Sequence, residues 1–64
     1  MDEKFHPGDK VYLLQSPYLR NAAPGLYEVV RQMPEQAGEF IYRIKNEREN
    51  YERAAAESQL ERAI

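Results

Sequence analysis

Among side chains that commonly carry enzymatic chemistry, the 64 residues hold one histidine, eleven carboxylates, five tyrosines and no cysteine. A metal site needs several convergent ligands, and a general base needs a nucleophile and an orienting partner. His6, between Phe5 and Pro7, has neither in its sequence neighbourhood and reads as a structural or solvent-exposed residue at a strand entry. The carboxylates are numerous enough for paired acid–base work. Most stand beside arginine or lysine in turns, however, and suit a solvated charged face. The three glycines are scattered singly at positions 8, 25 and 38, so no phosphate-cradling loop is formed. The expectation is a protein with no catalytic residue, no metal site and no cofactor.

Tyrosine and arginine point instead to contact surfaces, because both are enriched at binding hot spots. Tyr18 stands beside Arg20 and Asn21 in the stretch Ser16–Pro24, which is longer than closing a hairpin requires. These two are the expected anchors, with Tyr12 and Arg43 as neighbours across one end of the fold. The competing assignment for Tyr18 is a ring folded back to cap the core. Tyr27 and Tyr42 read as core. Arg31, Arg43 and Lys45 form a second constellation: if the strands that carry them pair as a hairpin, Arg43 and Lys45 project from one outer face and Arg31 joins them in the right register. Such a face suits a nucleic-acid backbone. Glu28 and Glu39 dilute it, and a surface kept soluble by mixed charge is the stronger reading.

The elements that must position these residues are short and β-prone. Pro7-Gly8-Asp9 is a turn signal, followed by a strand near 10–15 in which Val11 and Leu13 share one face and Lys10 and Tyr12 the other. Pro24-Gly25 signals a type II turn, with the positive φ at Gly25, into a strand near 26–33. Its register is ambiguous, since Tyr27 and Val29 alternate with Glu28 and Val30. Residues 33–38 read as a polar turn. The clearest alternation follows over 39–45, where Phe40, Tyr42 and Ile44 face a core and Ile41, Arg43 and Lys45 face out. Residues 46–50 are the next turn. The C-terminal stretch is rich in helix formers, yet a helix there has no broad apolar stripe, since Tyr51 and Leu60 fall on opposite sides. A short strand near 51–55, a tight turn at 57–59 and an inward Leu60 use the apolar residues at least as well. Helix and strand both stay open, with the strand preferred.

Four stretches, FHPGDKVYLL, GLYEVVRQMP, GEFIYRIK and ERAAAESQL, together resemble a group of short bacterial proteins. Those proteins are in turn similar to the Src-homology-3-like small barrel, the superfold that includes KOW and Tudor modules. The resemblance covers about residues 5–60 and implies a fold, with no established activity. The expected architecture is therefore mainly β, a small SH3-like antiparallel barrel of four to five short strands. The alternative is a three-stranded sheet with a C-terminal helix. Ala54-Ala55-Ala56 departs from the bulkier residues usual in such a strand. Residues 16–25 also lack the acidic residues typical of proline-peptide-binding members.

Composition bounds the rest. Residues 1–64 form one domain, with 1–4 and 62–64 expected to fray, and a chain this short buries only about 60% of its unfolded surface. The net charge of −2 argues against a general nucleic-acid binder and against a polybasic membrane anchor. No apolar run approaches the roughly 20 residues of a membrane span. The opening MDEKFHPGDK has no apolar core of a signal peptide. These readings predict a cytoplasmic, non-catalytic binding module that docks a protein partner or a second copy of itself. The second reading is a nucleic-acid or ribosome-associated barrel using Arg20, Arg31, Arg43 and Lys45.

Overall fold

The computed structural model describes residues 4–14 and 25–63. It is mainly β, with five antiparallel strands in one sheet of order β4-β3-β2-β1-β5. The strands are β1 (Lys10–Leu13), β2 (Leu26–Gln36), β3 (Glu39–Lys45), β4 (Glu52–Ala56) and β5 (Leu60–Arg62), with one 3-10 turn, Glu57–Gln59, between the last two.

Alternation decides the two faces. On β3, Tyr42 and Ile44 are fully buried and Phe40 packs half-buried against the same core, while Ile41, Arg43 and Lys45 lie on the opposite face. On β1, Val11 points inward and Tyr12 outward. On β2 the alternation holds for Tyr27 and Val29 and then breaks. Val29 faces Ile44, and the next pair is Arg31 with Arg43, so Val30 is an extra residue in a bulge. Val30 and Arg31 are consequently both exposed, and the inward phase resumes at Gln32, opposite Tyr42. The bulge is the physical source of the mixed pattern in that segment.

Two expectations change, and the open choice at the C-terminus is decided for the preferred strand. The turn expected over 33–38 is narrower, because β2 runs on to Gln36 and a second register shift between Met33 and Gln36 accommodates Pro34. The reversal itself uses only Ala37 and Gly38, at φ 52° and 79°, the left-handed pair of a type I′ hairpin turn. Gly25 has φ 103°, as a positive-φ turn requires. The helical alternative for the C-terminus gives way to β4 and β5. Ala55, 3% exposed, lies opposite Tyr42, so a small side chain makes room for a large ring and packing overrides helix propensity. Finally, the sheet is not closed into a barrel. β4 and β5 are its edges, and no ladder joins them among the described residues. The turn between them satisfies its own groups: the Ala56 N–H donates to Gln59 Oε1 at 3.0 Å and the Leu60 N–H to the Glu57 carbonyl.

Residues 4–9 cover the inner face instead. Phe5 is 1% exposed and meets the Tyr42 ring edge-on at 5.5 Å. The Gly8 N–H donates to the Val29 carbonyl at 2.8 Å, and the Val29 N–H to the Asp9 carbonyl at 2.9 Å, which ties this arm to β2. Arg62 reaches across from β5, donating to the Lys4 carbonyl at 2.6 Å with its guanidinium over the Phe5 ring.

Candidate docking surface

The outer face of the sheet carries the side chains that the core does not use. Because antiparallel partners point to the same side, the pairings arrange this face in rows. Glu61, Tyr12 and Leu26 form one row across β5, β1 and β2. Lys10, Glu28, Lys45 and Glu52 form the next, with charge alternating across four strands. Arg31, Arg43 and Ala54 form a third.

The first row is apolar where solvent is normally met by polar groups. Tyr12 is 45% exposed and Leu26 46%, directly opposite each other, and Leu14 on the same face is 43% exposed. Leu26 points outward because Tyr27 points in, so the turn at Gly25 delivers this side chain to the surface. The charged row beside it is neutralised unevenly. Lys10 Nζ lies 2.9 Å from Glu28 Oε1, and Arg43 Nε 3.0 Å from Glu52 Oε1. Lys45 Nζ instead donates to the Glu49 carbonyl at 2.9 Å and the Asn46 carbonyl at 3.4 Å. A cleft of about 540 Å³ opens here, with Leu26 and Val30 on its apolar wall and Lys10, Glu28, Lys45 and Arg48 around it. That volume is within the range of small-ligand and peptide side-chain sites.

The turn after β3 forms one side of the cleft and is rigidly built. Asn46 is 2% exposed; its Oδ1 accepts from the Arg48 N–H at 2.7 Å and its Nδ2 donates to the Leu26 carbonyl at 3.0 Å. Behind it, the largely buried Glu49 accepts a bidentate pair from Arg53, at 3.0 Å from Nε and 2.7 Å from Nη2. Arg53 also stacks over the Tyr51 ring at 5.1 Å and donates to its hydroxyl at 2.9 Å. The Glu49 hydrogen bond holds the Arg53 guanidinium above its ordinary range. Burial pushes the Tyr27 hydroxyl up, and the Glu49 charge adds to that shift.

Of the four residues expected to bind, Tyr12 and Arg43 both lie on this outer face. β2 and the row of Lys10, Glu28 and Lys45 lie between the two. Tyr18 and Arg20 lie outside the described residues. Arg31 does join Arg43, as its direct partner, once the bulge at Val30 has set the register. His6 is exposed, and its backbone closes the turn before β1, with the N–H donating to Asp9 Oδ2 at 3.0 Å. Sequence reasoning missed Leu14, Leu26 and Arg48. For Leu26 a signal existed, since an inward Tyr27 forces its neighbour out. For Arg48 none did beyond the turn-forming Asn46. Searches among protein families, curated proteins and solved structures find no match to this chain.

Proposed function

We propose that this chain is a non-catalytic binding module that docks a protein partner through the outer face of β1 and β2. The observation that carries the reading is the apolar corner of Tyr12, Leu14 and Leu26, each more than two-fifths exposed on one face. Exposed aromatic and aliphatic groups gathered on one side of a small domain mark interaction sites. Among the described residues the fold offers an open sheet with a solvent-open cleft on its outer face. No cluster of three or more His, Cys, Asp or Glu residues suited to a metal exists among the described residues. Five antiparallel strands, with the fifth returning beside the first, support a small β fold of the kind the sequence resemblance implies. No helix among the described residues is long and apolar enough to cross a membrane, and a cytoplasmic setting is part of the proposal.

Photo-crosslinking from position 12 in the source cell tests it. A discrete partner product should form, and Leu26→Glu should abolish that product. Thermal unfolding should change little, since exposed substitutions typically shift stability by no more than about 0.5 kcal/mol. A product that survives Leu26→Glu puts the contact elsewhere. If the partner is a second copy, the product has twice the chain mass and sedimentation equilibrium of the purified protein shows a dimer. The second reading, nucleic-acid association, is favoured by one observation, the direct opposition of Arg31 and Arg43. Binding of single-stranded RNA that Arg31→Glu abolishes would support it over the first.

A further inference from the structure

We infer that the cleft beside the apolar corner takes an extended, acidic segment of the partner, seating a carboxylate next to an aliphatic side chain. This rests on the protein-docking reading above and specifies the chemistry of what docks. The protein is acidic overall, at net charge −2, yet its outer face collects cations without carboxylate partners. Arg31, Lys45 and Arg48 make no ion pair with a carboxylate among the described residues. Arg31 stands opposite a second arginine, an arrangement that costs stability in a sheet. Lys45 donates its ammonium to two backbone carbonyls rather than to the carboxylates of its strand neighbours Glu28 and Glu52. Arg48 is exposed, and its backbone is pinned by Asn46, so its guanidinium is presented from a stiff turn.

Two walls of the cleft therefore differ in kind. Leu26 and Val30 offer apolar surface, 46% and 36% exposed. Lys45 and Arg48, from the end of β3 and the turn after it, line the same cleft with positive charge. An extended peptide presents alternate side chains to one surface at a spacing that matches neighbouring strand rows. An aspartate or glutamate on Arg48 and Lys45, with a valine or leucine on Leu26, satisfies both walls at once. A polynucleotide fits less well, because Glu28 and Glu47 lie in the cleft itself and interrupt any continuous track for phosphates.

Fluorescence anisotropy with three labelled probes tests this. The probes are a soluble peptide alternating aspartate with valine, its lysine–valine counterpart, and a single-stranded oligonucleotide. The aspartate peptide should bind, and Arg48→Glu should weaken it about tenfold or more, as loss of a charged hydrogen bond does. Glu47→Lys should tighten it. Both positions are exposed, and circular dichroism confirms that the variants fold. Equal binding of the lysine peptide, no effect of Arg48→Glu, or preferential binding of the oligonucleotide each overturns the inference. If the aspartate peptide fails while the Leu26-dependent crosslink persists, the acidic specificity is wrong and the docking reading stands. If both fail, the two fall together.

Discussion

Two tyrosines cross the core from adjacent strands, and each hands its hydroxyl to a different kind of polar support. Tyr42 donates to Glu57 Oε2 at 2.7 Å and accepts from the Phe5 N–H at 3.3 Å, and the same Glu57 oxygen accepts from the Lys4 N–H at 2.9 Å. That end ties the N-terminal arm to the last turn of the chain, segments more than fifty residues apart in sequence. Tyr27 ends beside Glu49, Tyr51 and Arg53, a network built almost entirely within one turn and the start of β4. The contrast is between a long-range clasp and a local staple. The clasp contributes only once the whole sheet has assembled, and it holds in place the Phe5 ring that covers the inner face. The staple stiffens the turn that borders the docking cleft. Global stability should therefore depend more on the Tyr42 end, and binding more on the Tyr27 end.

The largest effect should come from removing the clasp at its centre. Tyr42→Ala deletes a fully buried ring, opens space beside Phe5 and Ala55, and leaves Glu57 with the Lys4 N–H but without the tyrosine hydroxyl. Large-to-small core changes of this type cost roughly 3–5 kcal/mol. Arg43→Ala, one residue away on the outer face, should cost no more than about 1 kcal/mol, the range of exposed ion pairs. Denaturant midpoints check the pair, and a larger loss for Arg43→Ala would mean that the faces are exchanged. A truncated clasp should also release the arm, so hydrogen exchange at residues 4–9 should accelerate before that of β3.

Much of this architecture is legible in the residues, and the parts that are not have identifiable causes. The faces of β3 follow from unbroken alternation over Phe40–Lys45. β2 resists the same method because a bulge adds one residue at Val30, and no local rule marks where a strand will take one. Alanines 54–56 favour helix by propensity, and only the opposite strand, with Tyr42 against Ala55, makes a small residue correct in a strand. Phe5 belongs to the core although only three residues separate it from the Pro7-Gly8-Asp9 turn signal's last member and β1 follows it. Its burial depends on partners from β3 and β5, which short-range patterns do not contain. For the site, Tyr12 was readable as an outward residue. The apolar corner was not, because it needs the β1–β2 register to bring Leu26 opposite Tyr12.

The staple offers the intermediate test. Arg53→Ala leaves the carboxylate of Glu49, 8% exposed, without its bidentate partner. Breaking a buried pair from one side costs roughly 3–5 kcal/mol, and the partial exposure of Arg53 reduces this to about 2 kcal/mol. Arg53→Met with Glu49→Leu together should recover most of it, because both charges then leave the interior. Urea midpoints of the single and double variants measure the coupling. If the local staple matters chiefly for the turn, the double variant should be stable yet bind the aspartate peptide more weakly, as the presentation of Arg48 loosens. A double variant with unchanged affinity would separate the staple from the cleft.

The smallest effect, and the one that best separates the two ends, is the pH dependence of the clasp. The Tyr42 hydroxyl, followed by the Lys4 backbone N–H, holds the Glu57 carboxyl below the usual carboxylate range. A carboxyl with a depressed folded-state pKa binds fewer protons folded than unfolded, so its contribution is present above the ordinary carboxylate pKa. That contribution is lost as pH falls through the lower folded-state value, when Glu57 protonates and the arm loses a charged acceptor. Glu57→Gln keeps an oxygen for both donors and removes the charge. It should cost about 1 kcal/mol at neutral pH, the difference between charged and neutral hydrogen bonds, and almost nothing in acid. Plotted against pH, the stability of the variant should converge on that of the parent below the carboxylate range and fall beneath it above. A constant gap across the whole range would assign the loss to packing of the amide, and the clasp would then owe nothing to charge.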